Sequence, residues 1–307
     1  MAGKRDLPRL ALLDSPDWED YELLDSGNGE KLERYGPYTL VRPEHQAIWR
    51  PALPSKDWQA AAAVFNPSGG ESGGEWQFKQ AVPQSWEMGY KKLRFKIQAG
   101  ASRHLGVFPE QAAHWDWIAK QVENQGGVNN NGRKMRLLCL FGYTGLASLA
   151  AARAGAHVTH VDASKKALSW ARHNQALSGL TERPIRWLVD DALQFVKREV
   201  RRGSKYEGII LDPPKFGRGP KGQVWEFFNS LPDLLGECQK LLSPTPVFIV
   251  LTAYAIRASA LSTHFTLQDM VAGLGGTITS GELVLVERSA GRVLSMAIFS
   301  RWSAPDV

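Results

Sequence analysis

The chain has 307 residues, 43% of them hydrophobic and 22% charged, with 37 Lys and Arg against 31 Asp and Glu for a net charge of +6. At about 150 residues per domain the length fits two domains, and the composition excludes a disordered, collagen-like or coiled-coil chain. The longest near-apolar run, residues 247–256, is far short of the roughly 20 residues that span a bilayer. The opening MAGKRDLPRLALLDSPDWED meets acid and proline too early for a secretory h-region, so a cytoplasmic location is expected. Two cysteines supply neither a disulfide framework nor a zinc cage.

Residues 1–102 have one texture. They are rich in Pro and Gly, and seven of the eleven tryptophans precede residue 118. Strand-like pieces at 21–24, 38–42, 76–80 and 93–97 are separated by turn signals such as SGNGE, YGPY and PSGGESGGE. A flexible loop tip is expected at 69–74. The expectation is a small β-rich domain of undetermined topology.

Residues 103–307 have another. Pro109 starts a helix to 122, and a loop follows at 125–134. Strands over 136–141, 157–161, 185–189, 206–211 and 247–251 alternate with helices over 145–154, 164–177, 191–202, 224–242 and 261–274. Ser164 is a natural N-cap, and Pro232 is expected to kink its helix. Two extended runs, 282–286 and 293–299, are joined by RSAGR as a hairpin. Such alternation predicts an α/β fold: a doubly wound parallel sheet closed by an antiparallel hairpin.

The charge is clustered. Residues 197–221 hold eight basic and three acidic residues, and KKLRFK occupies 91–96. Interleaved cations and aromatics suit a phosphate backbone, although solvated surface is the commoner cause. Lys215, Arg218 and Lys221 leave a strand at its carboxyl end. Arg198, Arg201, Arg202 and Lys205 enter it at the amino end. Only the first group is placed to hold phosphates beside a site on the carboxyl edge.

Four signals fall at four successive strand ends. Gly142 and Gly145 in FGYTG sit where a strand becomes a helix, a place for close ligand approach and equally for an ordinary tight loop. Asp162 ends the next strand, where a carboxylate can accept both ribose hydroxyls. Asp190 and Asp191 end the third, as ligand groups, helix caps or both. Asp212-Pro213-Pro214-Lys215-Phe216 ends the fourth, its prolines holding an extended turn. In an open α/β sheet, ligands bind along that edge.

The stretch LLCLFGYTGLASLAAARAGAHVTHVDASKKALSWARHNQALSGL, with DDALQF and IILDPPKFGRG after it, resembles a class I S-adenosylmethionine-dependent methyltransferase. Within that class it is similar to the ribosomal RNA large-subunit group that carries DPPxF after the fourth strand. The likeness covers about residues 103–300 and includes HLGVFPEQAAHWDWI, which in that group folds over the cofactor. It implies a Rossmann-like, seven-stranded sheet behind a small α+β domain. Members often carry an additional RNA-binding PUA domain, for which this chain is too short.

The resemblance implies roles. Phe141, Gly142, Tyr143, Thr144 and Gly145 line the methionine half of the cofactor. Asp162 holds the ribose, with Ala163 and Ser164 beside the adenine, and Asp191 and Ala192 bind the adenine edge. Phe108 and Gln111 close over the cofactor. Asp212, Pro213 and Pro214 form the wall towards the substrate, which Lys215 and Phe216 touch. Tyr254 stacks on the base or bonds its edge, or is an ordinary core or surface tyrosine.

One departure decides the chemistry expected. Carbon-5 methylation of cytosine needs a thiolate that adds to the ring, and the group's carbon-5 members place it after the fifth strand. Here that segment reads VLTAYA. Cys139 and Cys238 fall on core positions. Transfer to a nitrogen of an RNA base, ribosomal in the first instance, is therefore expected. The seven histidines show no ligand spacing, so no metal is expected. Alternatives are a protein or small-molecule methyltransferase, and a non-catalytic RNA-binding module with a decayed cofactor site.

Overall fold

The computed structural model describes residues 7–68 and 73–305. Most of the loop tip expected at 69–74 lies outside them. In the N-terminal part come β1 (Leu10–Leu13), β2 (Tyr21–Gly27), β3 (Glu30–Tyr35), β4 (Tyr38–Pro43), α1 (Ser55–Gln59), β5 (Ala63–Pro67), β6 (Gly74–Phe78), β7 (Ser85–Tyr90) and β8 (Leu93–Gln98). A 3-10 turn, Pro109–Gln111, leads into α2 (Ala112–Asn124). Then follow β9 (Arg136–Leu140), α3 (Leu146–Arg153), β10 (His157–Asp162), α4 (Lys165–Leu177), β11 (Ile185–Val189), α5 (Ala192–Arg201) and β12 (Gly208–Leu211). The chain closes with β13 (Phe216–Arg218), β14 (Val224–Glu226), α6 (Phe227–Leu241), β15 (Phe248–Ala253), α7 (Ala260–Met270), β16 (Thr277–Val286) and β17 (Val293–Ser303).

The large sheet has the order β1-β16-β17-β15-β12-β9-β10-β11. Its strands from β15 to β11 are parallel, and β17 lies antiparallel between β15 and β16. Side chains alternate across it, as strand geometry requires. Leu138 and Leu140 pack with α5, α6 and α7 on one face, around Phe195, Leu234 and Leu267. Leu137 and Cys139 pack with α2 and α3 on the other, around Ile118, Val122 and Ala151. A strand buried on both faces reads as a continuous apolar run, which is why RLLCL was recognisable.

Beyond the seven strands expected, an eighth, β1, joins the edge in parallel with β16. Gly281 permits this: a Cβ there would lie 1.8 Å from the Ala11 carbonyl oxygen. Residues 224–226, expected as the first turn of a helix, instead form β14, which pairs antiparallel with β13. Helix α6 begins at Phe227 and contains Pro232. Ser164 and Asp191 do cap α4 and α5, accepting from the Ala167 and Gln194 amides.

The N-terminal part forms a five-stranded sheet, β2-β3-β4-β5-β6, and the hairpin β7-β8. Its core is continuous with the larger unit: Tyr21, Tyr35 and Phe95 belong to one apolar cluster with Trp115, Leu146, Leu149, Leu285 and Leu294. Among the described residues no helix is long and apolar enough to cross a membrane.

Gly281→Val tests the docking of β1. Overpacking against a backbone should cost about 1–3 kcal/mol of unfolding free energy, read by urea denaturation, with hydrogen-exchange protection lost first at residues 10–13. Unchanged stability and protection would contradict the close approach.

Candidate active site

The carboxyl ends of β9, β10, β11, β12 and β15 open on one cleft of about 810 Å³. It is lined by Phe108, Phe141, Tyr143, Asp162, Ala163, Ser164, Asp191, Ala192, Tyr254, Arg218 and the run Asp212 to Phe216. The strand order across this edge is β15, β12, β9, β10, β11. Tyr254 and Asp212 therefore lie on one side of the glycine turn, and Asp162 and Asp191 on the other.

The turn after β9 is tightly packed. A Cβ on Gly142 would lie 2.2 Å from the His160 ring, and Gly145 (φ +87°) precedes α3 in the left-handed region. Phe141 (φ +56°), Tyr143 (φ +49°) and, after β15, Ala255 (φ +52°) are left-handed non-glycine residues. Such conformations cost energy and concentrate at functional sites. The His160 imidazole is buried, bonds Ser148 Oγ at 2.9 Å, and is pushed down to a pKa of about 3 by desolvation.

Asp162 is fixed from both sides. Its Oδ2 accepts the Tyr143 amide and its Oδ1 the Ser164 amide, each at 2.8 Å. Desolvation raises its pKa, and these two bonds oppose the rise. Asp212 accepts Gln111 Nε2 at 3.0 Å. Its pKa is pushed up to about 8, first by desolvation, then by the negative charges of Glu110 and Asp162. Asp190 is paired with Arg198.

Segment 103–111 crosses these strand ends. The Phe108 ring lies 5.8 Å from Tyr143 and 5.0 Å from Tyr254, and Thr144 Oγ1 donates to the Gly106 carbonyl at 2.7 Å. Gln111, Gly142 and Thr144 line a smaller pocket that shares Phe108, Phe141, Tyr143 and Asp212 with the cleft. Gly145 and Lys221 line neither, Lys221 being exposed in the β13–β14 turn.

The Asp-Pro-Pro run is held by that hairpin. Trp225 Nε1 donates to the Pro214 carbonyl at 2.6 Å, the Trp225 ring lies 4.8 Å from Phe141, and the Phe227 amide bonds the Lys215 carbonyl. Phe216 stays 61% exposed, with Lys215 Nζ 5.6 Å from its ring centre. Lys215 and Arg218 line the cleft, whereas Arg201, Arg202 and Lys205 do not. Arg202 pairs with Glu199, and Lys205 bonds the Lys240 carbonyl. In the 91–96 cluster, Lys91 is paired with Asp17 and Asp116.

Several cleft groups were not singled out in the sequence. Glu110, 1% exposed, lies beside Asp212, and Lys31, Arg42 and Gln46 supply an opposite wall from the N-terminal sheet and the segment after it. Both cysteines are buried, and burial raises both thiol pKa values, that of Cys139 to about 12. Among the described residues no cluster of His, Cys, Asp or Glu could hold a metal.

Residues 62–269 match the sequence profile of an S-adenosylmethionine-dependent methyltransferase family. The chain is 37% identical over 119 residues to the ribosomal RNA large subunit methyltransferase K/L of Shewanella frigidimarina, which covers 38% of this chain and 16% of that protein. Against the protein of the same description from Hahella chejuensis, identity is 31% over 196 residues, 59% of this chain and 25% of the other. The chain thus spans a quarter or less of the length of these relatives. The crystal structure of an S-adenosylmethionine-dependent methyltransferase from Agrobacterium tumefaciens superposes with a TM-score of 0.90 at 48% identity, covering 98% of this chain and 97% of that one. The fold is also shared with SMU.776, crystallised with S-adenosylhomocysteine (TM-score 0.68, 16% identity, 93% and 76% coverage). With half the chain and more inside the family profile, and its strand ends gathered on one cleft, this protein belongs to the S-adenosylmethionine-dependent methyltransferases.

Proposed function

We propose that the cleft transfers a methyl group to a nitrogen of an RNA base, with large-subunit ribosomal RNA as the substrate. S-adenosylmethionine supplies an electrophilic methyl on a sulfonium and leaves as a neutral thioether. The residues fit such a ligand: although six Lys and Arg balance six carboxylates around the cleft, Asp162, Asp190, Asp191 and Asp212 sit together at the ends of β10, β11 and β12, where a molecule bearing a sulfonium and an ammonium group can be met. Asp162, with both oxygens already oriented by backbone amides, accepts the ribose hydroxyls. Phe141 to Thr144 surround the methionine half, with Gly145 setting the turn into α3 behind them, and Ala163, Ser164, Asp191 and Ala192 surround the adenine. Phe108 and Gln111 cover the cofactor and exclude water. Asp212, Pro213 and Pro214 divide cofactor from acceptor, and Tyr254 meets the base.

The observation that carries the substrate class is the β13–β14 hairpin. It presents an exposed aromatic ring, Phe216, between Lys215 and Arg218 at the mouth of the cleft. A ring for a base and cations for its phosphates form a single-strand platform. The K/L relatives support the ribosomal assignment. Nitrogen is favoured because neither buried cysteine has an accessible thiolate, and a direct displacement is served mainly by alignment. We assign the reaction to the cytoplasm. We also divide the chain near residue 102, the earlier part supplying the wall opposite the cofactor.

Nucleoside mass spectrometry of large-subunit rRNA from cells lacking this protein tests the substrate. One N-methylated nucleoside should vanish and return on complementation. A lost 5-methylcytosine would overturn the choice of nitrogen.

Two variants test the division of the cleft. Asp162→Ala removes charge-assisted bonds worth about 1.5–3 kcal/mol each, so calorimetry should show cofactor affinity reduced by at least about tenfold with the melting transition retained. Changing Lys215, Arg218 and Lys221 together to Ala should flatten the salt dependence of RNA binding by roughly 0.7 in the log–log slope per lost contact. Replacing Arg198, Arg201 and Arg202 should do much less. Equal slopes for wild type and the first triple variant would remove the hairpin from the RNA interface.

A further inference from the structure

One histidine stands apart from the other six. His114 on α2 is 1% exposed, and both of its ring nitrogens are without a hydrogen-bond partner among the described residues. Burial, and after it the Arg301 charge, holds its pKa well below the usual imidazole range, so the ring is neutral. A neutral imidazole has one N–H to donate and one nitrogen to accept. Burying such a ring unpaired is costly, which points to a ligand that pairs with it.

His114 lines the smaller pocket, of about 50 Å³, that joins the cleft at Phe108, Phe141, Tyr143 and Asp212. That volume suits a group the size of a carboxylate and excludes a base or a ribose. Much of the polar lining is already engaged: Thr144 Oγ1 donates to the Gly106 carbonyl, and Gln111 Nε2 to Asp212. Helix α3 begins at the same pocket, with Leu146 and Ala147 in its lining. Its N-cap is Gly145, which has no side chain to cap with, so the first-turn amides are left to another acceptor. Those amides and the helix dipole favour an anion. So does the Arg301 guanidinium, which packs on the same Phe299 ring that His114 meets at 5.2 Å. The lining therefore selects a small anionic acceptor, held by an imidazole N–H and a helix N-terminus together.

The cofactor carries one such group, the carboxylate of its amino-acid end. Resting on the placement of the methionine half above, we propose that the His114 N–H donates to that carboxylate, beside the first-turn amides of α3. His114 is then a cofactor-binding residue delivered by α2, outside the strand-end motifs. It reads the end of the cofactor that the adenosine contacts cannot reach, and it exchanges no proton with the substrate. Affinity depends, through this contact, on the carboxylate itself: a ligand with the same adenosine and no carboxylate gains nothing from His114.

The test is calorimetric titration of the full chain with three thioethers that share one adenosine. They are S-adenosylhomocysteine, S-adenosyl-3-thiopropylamine, which lacks the carboxylate, and 5′-methylthioadenosine, which lacks the whole amino-acid end. His114→Leu should weaken S-adenosylhomocysteine by about tenfold or more, since a bond to a charged group is lost. The other two Kd values should stay within about threefold of wild type, and methylthioadenosine binding reports an intact fold. His114→Asn, which keeps an N–H donor, should recover part of the loss. Should His114→Leu not fold, His114→Phe, which keeps a ring against Phe299, carries the same expectations. Equal losses for S-adenosylhomocysteine and the thiopropylamine would overturn the proposal, because the effect would not run through the carboxylate. A wild-type preference for S-adenosylhomocysteine over methylthioadenosine that survives in His114→Leu would overturn the His114 contact alone. If wild type binds S-adenosylhomocysteine no more tightly than methylthioadenosine, the placement of the methionine half fails and takes this proposal with it.

Discussion

The cleft gathers Glu110, Asp162 and Asp212 where water is scarce, and much of its chemistry follows from their mutual repulsion. Desolvation and two neighbouring acids hold the Asp212 carboxyl at a pKa of about 8, so it carries a proton at neutral pH. The folded-state value lies above the unfolded one. This group's contribution to stability is therefore full below the ordinary carboxylate range and is lost as pH rises through about 8. A cationic ligand reverses the balance by favouring the ionised carboxyl. The site is thus matched to a positively charged cofactor.

A second charged cluster braces the other wall. Glu33 is fully buried and receives Arg42 through two bonds of 2.7 Å, with the Tyr21 hydroxyl donating at 2.9 Å. Although burial pushes its carboxyl pKa up, Arg42 and Lys31 overcome this and hold it down at about 2. Arg42 also donates to the Arg103 carbonyl, in the segment that crosses the strand ends. Removing one partner of such a pair leaves an uncompensated buried charge, which is costly. The N-terminal sheet is in this way tied to the segment that carries Phe108, Glu110 and Gln111.

How much of this was legible follows from burial. The parallel strands announced themselves because both faces are covered and their sequences are apolar throughout. The edge motifs were legible because each marks a strand end. Strand β3 was not: EKLERY hides its alternation behind Lys31 and Glu33, both buried only because Arg42 and Glu44 come from elsewhere. Strand β1 has two exposed and two half-covered residues, and its pairing depends on a glycine 270 positions later in the chain. Val224 and Trp225 suit a helical stripe equally well, and the hydrogen bond from Trp225 to Pro214 makes them a strand instead. Glu110 carried no mark of its own in the sequence, because the cleft that buries it is assembled from distant segments, Lys31, Arg42 and Tyr254 among them.

The most direct measurement is proton release on cofactor binding. S-adenosylmethionine would be titrated into wild type and Asp212→Asn at pH 7 in buffers of differing ionisation enthalpy, and the difference between the two proteins cancels protons exchanged by the ligand itself. The expected result is that wild type releases a substantial fraction of one more proton than the variant, with affinity rising towards pH 8 in wild type only. Equal proton release, with affinity independent of pH in both, would contradict a cleft whose carboxylates are neutralised by the cofactor's positive charge.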